Sequence, residues 1–219
     1  SLFVEIRNNI CEDKCKIYDQ NNDIYIHKNL NYNNIIYTNK ASINNYEMQY
    51  LNLIDKIYRK NNKVKGRNGE VYSIFGERMI FDLTNGFPIL TTKKMPWRTI
   101  LRELLWFISG DTNNATLNDM KVHIWDQNAS SEYMKSRGLN YKSGDLGPIY
   151  GFQWRHFGAE YIDCDTDYTN KGFDQINYII NEIKENPTSR RIILNAWNPC
   201  DINKMSLPPC HLMVQFNIE

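Results

Sequence analysis

The residue best suited to covalent chemistry lies late in the sequence, where Cys210 follows two prolines and precedes His211. A thiol attacks as its thiolate, so such a cysteine needs positive charge or hydrogen-bond donors nearby. The prolines cannot donate to a sheet, which predicts that the cysteine begins the next element. A lone cysteine can equally be a small buried side chain that only packs. Its surroundings therefore decide between a nucleophile and a packing residue.

A carboxylate and a pair of arginines are the next candidates. Glu103 shares a helical face with Ile100 and Phe107, so it faces the core and could be a functional acid. The alternatives are a structural partner for an arginine or a side chain that leans out to water. Arg190 and Arg191 follow a helical stretch and could hold an anion, although such a pair is often an exposed basic turn.

Three segments with helical periodicity must position these side chains. The first begins near Tyr46 and ends in the polar stretch 59–63, and the second runs from Trp97 to Ile108 and ends at Gly110. The third begins near Asp174 and ends before Pro187. We expect the apolar face of the second helix to pack into the core. Its members are Ile100, Leu101, Leu104, Leu105 and Ile108.

Alternating apolar residues predict strands over 71–83, over 192–197 and after Cys210, where Leu212, Val214, Phe216 and Ile218 share one face. Helices and strands in this order indicate an α/β or α+β domain. Residues 1–45 are rich in Asn and Tyr, contain short extended pieces such as 23–26, and read as a linker or the remnant of an upstream module. The predicted folded domain is therefore 46–219.

Composition excludes several classes of partner. A net charge of +1 gives no electrostatic reason to bind nucleic acid or an acidic membrane, and no apolar run reaches the length of a membrane span. Five cysteines, an odd number, and the lack of a hydrophobic leader favour free thiols in the cytoplasm.

No metal site is predicted from the sequence. Asp163, Asp165 and Asp167 imitate a calcium loop, but Tyr168 stands where the sharp turn needs glycine. The four histidines do not pair with cysteines at the spacing of zinc ligands.

Six strings of residues carry a resemblance to a known family. They are GFPILTTKK (86–94), ELLWFISGDTN (103–113), IWDQN (124–128), GDLGPIYGFQWRHFGAEY (144–161), SRRIILNAWNP (189–199) and LPPCHLMVQF (207–216). In order and spacing this set resembles thymidylate synthase, from about Tyr46 to Phe216. The resemblance implies a mixed sheet with flanking helices, incomplete at its C-terminal end. It also implies a homodimer that methylates carbon 5 of dUMP with 5,10-methylenetetrahydrofolate as co-substrate, without a metal.

The resemblance assigns roles around the reacting base. Cys210 matches the nucleophile that adds to carbon 6, and Glu103 matches the acid that organises water and proton transfer. Tyr150 matches a hydroxyl that helps to remove the carbon 5 proton. Trp125 matches a residue beside the intermediate, and His211 is expected in the polar network of the nucleophile.

The resemblance also assigns binding residues. Arg190 and Arg191 match a pair that reaches the partner subunit's nucleotide, and Gln215 lies on the nucleophile strand. Arg67 matches a phosphate-binding arginine, although its loop, RNGEVYS (67–73), is one residue shorter than the common form. The residues expected on the folate side are Lys93, Ile124, Trp125, Asn128 and Leu207.

Three hypotheses stay open: a thymidylate synthase fragment, a dCMP hydroxymethylase and a non-catalytic remnant. The family continues beyond the cysteine strand with residues that recognise uracil and the sugar, so we expect the 219-residue chain alone to be unstable and nearly inactive. Some lineages fuse an upstream dihydrofolate reductase, which residues 1–45 are too short to reveal. A dCMP hydroxymethylase would share the nucleophile and fold, and a non-catalytic remnant would bind a protein or RNA instead.

Overall fold

The computed structural model describes residues 6–7, 15–18, 23–26, 45–66 and 69–218. These residues form two compact units, residues 1–96 and residues 97–219, which are described separately. Helices and small antiparallel sheets occur together, which confirms the predicted α/β class.

The elements are named in chain order. The helices are α1 (Asn45–Lys60), α2 (Trp97–Ser109), α3 (Asn114–Asp119), α4 (Ser131–Ser136), α5 (Tyr150–His156) and α6 (Gln175–Glu185). The strands are β1 (Ile6–Arg7), β2 (Cys15–Tyr18), β3 (Asp23–Ile26), β4 (Lys63–Gly66), β5 (Gly69–Tyr72), β6 (Ile193–Asn195) and β7 (Met213–Gln215). Two 3₁₀ turns, Leu83–Asn85 and Ile202–Lys204, complete the regular structure of the described residues.

The first unit is organised around α1 and a three-stranded sheet. Leu53 and Ile57, four residues apart, are the buried apolar side chains of the helix, which confirms the helical prediction. Strand β5 lies between β1 and β4, and β2 pairs with β3, all antiparallel. The extended piece expected at 23–26 is thus present as β3.

The long strand predicted over 71–83 is wrong beyond Tyr72. Gly76 has a φ of 79°, a left-handed conformation that interrupts an extended run. Further on, the Gln49 side chain occupies both backbone groups of Ile80, donating to its oxygen at 2.6 Å and accepting from its nitrogen at 2.8 Å. Because a side chain satisfies this backbone, the alternating residues do not pair with a neighbouring strand.

The second unit places α2 tightly against the start of α5. An added Cβ on Gly151 would lie 2.9 Å from the backbone oxygens of Phe107 and Asp111. Glycine is therefore required where the two helices meet. This close approach brings Tyr150, the first residue of α5, beside Phe107 on α2.

The second helix ends as predicted, but its burial differs. It stops at Ser109, and Gly110 follows with a φ of 85°. Trp106 and Phe107 are its buried side chains. The apolar face expected in the core is exposed instead, because the aromatic side faces the cluster of buried residues formed within 97–219. That exposed face is Ile100, Leu101, Leu104, Leu105 and Ile108.

The remaining predicted elements are present but shorter. Asp174 caps α6 by accepting from Asn177 N, and the helix ends before Pro187. Strands β6 and β7 pair antiparallel, with Leu194 opposite Val214. Of the apolar set predicted to share one face of the last strand, Phe216 is partly buried and the others are exposed. None of the described helices is long and apolar enough to cross a membrane.

Candidate active site

The hydroxyl of Tyr150 holds the backbone of the candidate nucleophile. It accepts a hydrogen bond from Cys210 N at 2.5 Å and a longer one from His211 N at 3.4 Å. The Tyr150 side chain is buried, whereas the Cys210 side chain is exposed. The cysteine precedes β7 by three residues, so the turn after the prolines, and not the strand itself, carries the thiol.

The environment of Tyr150 keeps its hydroxyl protonated. Burial raises its pKa to about 12, the negative charges of Cys210 and Glu103 add to the increase, and the two backbone donors oppose it. An oxygen that accepts two N–H groups still has its own hydrogen to donate. Tyr150 can therefore fix the cysteine turn and offer a proton to a third group.

The carboxylate of Glu103 is tied to Trp125. The indole Nε1–H of Trp125 donates to Glu103 Oε1 at 2.7 Å, and the carboxylate is half-buried while the indole is buried. The predicted inward orientation of Glu103 is confirmed. Only one carboxylate oxygen is used by this bond, so the other can bind water or a substrate atom.

Packed aromatic rings connect the Tyr150 hydroxyl at the cysteine turn with the bond between Glu103 and Trp125. The ring centroid of Phe107 lies 4.4 Å from that of Tyr150 and 6.2 Å from that of Trp125, and Trp154 lies 5.8 Å from Phe107. Phe107 and Trp154 were not predicted as site residues. Helical spacing could have indicated both residues, because Phe107 lies four residues after Glu103 and Trp154 lies four residues after Tyr150.

A second cysteine is a poorer candidate nucleophile. Cys164 lines a separate cavity of about 350 Å³, together with Thr112, His156 and Tyr168. Burial and the negative charge of Asp145 raise the pKa of the Cys164 thiol to about 12. At neutral pH that thiol is protonated and unreactive. The cavity is lined by none of the predicted site residues.

The sequence match to a known family agrees with this geometry. A model of the family described as thymidylate synthase matches residues 48–219, more than three quarters of the chain. The chain belongs to the thymidylate synthase family. The resemblance predicted from the six strings is thereby confirmed.

Individual relatives match most of the chain. The chain is 56% identical over 175 residues to a bifunctional dihydrofolate reductase-thymidylate synthase of Zea mays, a match over 79% of this chain and 34% of the relative. A probable thymidylate synthase of Schizosaccharomyces pombe is 53% identical over 84% of the chain and 30% of its own length. The thymidylate synthase of human herpesvirus 8 is 49% identical over 78% of the chain and 52% of its own length. The chain thus spans about a third to a half of these relatives.

Two of the other residues assigned by the family resemblance, His211 and Leu207, lie beside the aromatic cluster or the core around it. The His211 ring centroid lies 5.8 Å from that of Tyr150, and Leu207 packs against the core. Ile124 exposes 52% of its surface, and Asn128 is half-buried one turn further on. These side chains are available to a ligand without being part of the core.

The predicted anion-binding residues are not all brought together. Gln215 Nε2 donates to the backbone oxygen of Arg190 at 3.1 Å, so it is tied to the arginine segment and not to the cysteine turn. The side chains of Arg190 and Arg191 are exposed. Arg67 lies outside the described residues, and Lys93 is an exposed residue of the first unit.

The aspartates of the apparent calcium loop shape the loop itself. Asp163 Oδ1 accepts hydrogen bonds from Asp165 N, Thr166 N and Thr166 Oγ1, and these bonds lower its pKa. Asp165 pairs with Lys142. Among residues 47–66 and 69–218 there is no group of three or more His, Cys, Asp and Glu side chains that could hold a metal ion.

Proposed function

We propose that the protein is a thymidylate synthase that converts dUMP to dTMP, with 5,10-methylenetetrahydrofolate as co-substrate. The observation that carries the proposal is the bond from Cys210 N to the Tyr150 hydroxyl, two residues sixty positions apart in the sequence. It ties the exposed thiol to a protonated hydroxyl in the aromatic cluster that also contains Trp125, the partner of Glu103. Family membership supports the same reaction.

Cys210 starts the proposed reaction. Carbon 5 of uracil is a poor nucleophile until a thiolate adds to carbon 6, which produces an enolate. The cysteine turn is fixed through its backbone, so the sulfur can be aimed while its side chain stays free to form and break a bond. Addition is reversible, and the thiolate leaves when the product forms.

Glu103 and Tyr150 handle protons in this proposal. The free oxygen of the Glu103 carboxylate can hold water beside the pyrimidine, because Trp125 fixes the other oxygen. The Tyr150 hydroxyl can donate a hydrogen bond to a water, and that water can pass the carbon 5 proton to the free oxygen of the Glu103 carboxylate. His211, beside Tyr150, extends the polar surroundings of the cysteine.

The folate co-substrate fits the residues that the family resemblance assigns to it. Exposed Ile124 and half-buried Leu207 offer apolar surface, and the Trp125 indole offers an aromatic wall for a flat pterin. Asn128 adds a polar contact, and Lys93 suits the anionic tail. The co-substrate supplies the one-carbon unit and the hydride.

The proposed assembly is a homodimer in which Arg190 and Arg191 hold the phosphate of the partner's nucleotide. Both side chains are exposed, and Gln215 braces the backbone of the first. Arg67 is proposed to hold the phosphate within its own subunit. We place the reaction in the cytoplasm, consistent with free Cys164, Cys200 and Cys210 among the described residues.

Covalent trapping tests the proposal. The protein, expressed from its complete open reading frame, is incubated with 5-fluoro-dUMP and methylenetetrahydrofolate, and its intact mass is measured. We expect an adduct of one nucleotide and one folate on each subunit, because fluorine at carbon 5 cannot leave as a proton does. The adduct should be absent from the Cys210→Ser variant.

Cys200→Ser is the matched control. Cys200 is also an exposed free thiol, ten residues earlier, and should leave the adduct intact. An unmodified protein that forms no adduct, or an adduct that survives loss of Cys210, would contradict the proposed reaction. Turnover with dCMP and not dUMP would instead favour the hydroxymethylase.

A further inference from the structure

A buried carboxylate in the first unit is saturated by two consecutive threonines. Glu47 lies in the first turn of α1 and is only 3% exposed. One of its oxygens accepts from Thr91 N at 2.8 Å, Thr92 N at 2.6 Å and Thr92 Oγ1 at 2.5 Å, and the other accepts from Thr91 Oγ1 at 2.6 Å. Four donors on one buried carboxylate form a clamp, here called the Glu47 clamp.

The clamp replaces secondary structure in the segment that it holds. Residues 86–96 contain no helix or strand, and the N–H groups of Thr91 and Thr92 go to Glu47. The helix that carries Glu47 is held by packing, because Leu53 and Ile57 of α1 are buried. The segment is therefore positioned by a carboxylate on a fixed helix.

Electrostatics keep the clamp closed at neutral pH. Burial alone would raise the pKa of Glu47, but the hydrogen bonds from Thr91 and Thr92 outweigh it and hold the pKa below its usual value. A negative charge in the first turn of a helix is also favoured by the helix dipole.

The clamp ends directly before two exposed lysines, Lys93 and Lys94. We propose that Glu47 is a positioning residue for this pair: it fixes the turn that presents Lys93 and Lys94 to the carboxylates of the folate tail. The inference rests on the proposed function, which assigns Lys93 to that tail. It adds a residue that acts through the lysines without touching the ligand.

Kinetics with two forms of the co-substrate test the inference. The KM values for monoglutamyl and triglutamyl methylenetetrahydrofolate are measured for the protein expressed from its complete open reading frame and for Glu47→Gln. Only the longer tail brings additional carboxylates to the lysines, so the ratio of the two KM values isolates their contribution. We expect the unmodified protein to prefer the triglutamyl form and Glu47→Gln to reduce that preference by about threefold or more.

A double-variant cycle separates positioning from general destabilisation. In a background with both Lys93→Met and Lys94→Met, Glu47→Gln should change the KM ratio no further, because the residues through which it acts are gone. An unchanged ratio in Glu47→Gln, an equal change in both backgrounds, or an unmodified protein without preference for the longer tail would each overturn the inference.

A milder pair of variants covers the case in which Glu47→Gln does not fold. Thr92→Val removes one hydroxyl donor and keeps the side-chain volume, whereas Thr92→Ser keeps the donor. Thr92→Val should reduce the preference for the triglutamyl form, and Thr92→Ser should retain it. Equal KM ratios in the two variants would overturn the inference. Failure of the proposed function is distinguishable, since an unmodified protein would then form no adduct with 5-fluoro-dUMP.

Discussion

The geometry of the site depends on one hydroxyl. Tyr150 accepts from the backbone of two successive residues, Cys210 and His211, and is packed against Phe107. Removing its oxygen leaves two backbone donors without that acceptor while the ring still fills its place. Tyr150→Phe therefore separates the hydrogen-bonding role of the residue from its packing role.

We expect Tyr150→Phe to lower kcat by about a hundredfold and the free energy of unfolding by about 1–3 kcal/mol. Burial raises the pKa of Tyr150 to about 12 from 10.0, so its neutral form is favoured in the folded state. The neutral Tyr150 hydroxyl therefore contributes fully to the stability of the fold below pH 10, and this contribution is lost as the pH rises through 12. The phenolate absorbance of the unmodified protein minus that of the variant should show one tyrosine titrating near pH 12.

The control for this prediction is Tyr141→Phe. Tyr141 is also partly buried with a pKa raised to about 12 by burial, but it packs on Tyr161 and not on the cysteine turn. Its loss should leave kcat within about twofold, as for a substitution away from the site. Equal losses of kcat in both variants would show that Tyr150 has no special role.

At the scale of elements, the bond between Glu103 and Trp125 links α2 to the turn at residues 123–130. It is a single contact between side chains 22 residues apart, and it orients the carboxylate as well as joining the two segments. The aromatic rings behind it provide the packing. Orientation and chemistry can be separated here, because an amide oxygen accepts the same hydrogen bond without being an acid.

We predict that Glu103→Gln keeps the free energy of unfolding within about 1 kcal/mol of the unmodified protein, because the indole N–H retains an acceptor. Its kcat should fall by about a hundredfold or more, because the acid is lost. Urea denaturation and steady-state kinetics measure the two effects.

Glu103→Leu is the comparison. It removes the acceptor as well, so the Trp125 N–H is left unpaired and stability should fall by a further 1–3 kcal/mol, approximately. If Glu103→Gln kept full activity, the carboxylate would be only a structural partner for the indole.

At the scale of the whole molecule, the described surface carries a large amount of exposed apolar area. The outer face of α2 exposes five aliphatic side chains, and β6 and β7 expose Ile193, Met213 and Val214. Exposed apolar patches of this kind indicate association with further protein surface. Arg190 and Arg191 lie immediately before β6, so the proposed shared site would adjoin one of these patches.

Mixed dimers test the shared arginines. A Cys210→Ala subunit and a subunit with both Arg190→Ala and Arg191→Ala should each be inactive alone. When they are co-expressed, the intact cysteine of one subunit meets the intact arginines of the other, so each mixed dimer should have one working site. Turnover of purified, differently tagged heterodimers measures this.

The matched combination is Cys210→Ala with Glu103→Gln. If Glu103 belongs to the same subunit's site as Cys210, each site of this mixed dimer lacks either the cysteine or the carboxylate, and activity should not return. Arginines that served their own subunit would leave the first mixture as inactive as the second.

Local sequence determined the three longest of the described helices and the identity of the family. Helices α1, α2 and α6 follow from apolar spacing and from the residues that cap and stop them, since these signals act within one or two turns. The strings around Cys210, Glu103 and Tyr150 were specific enough to indicate thymidylate synthase before any contact was known. The strand predicted over 71–83 ends at Tyr72, and further on Gln49, distant in the sequence, takes the backbone hydrogen bonds of Ile80.

Only the tertiary structure decided which side chains act together. The Tyr150 hydroxyl on the Cys210 backbone and the Glu47 clamp on Thr91 and Thr92 join residues 60 and 44 positions apart. Hydropathy patterns record whether a residue faces inward, but hydrogen bonds of this range depend on how helices and turns pack. The sequence alone thus indicated the chemistry of Cys210, and packing determined which hydroxyl holds it in place.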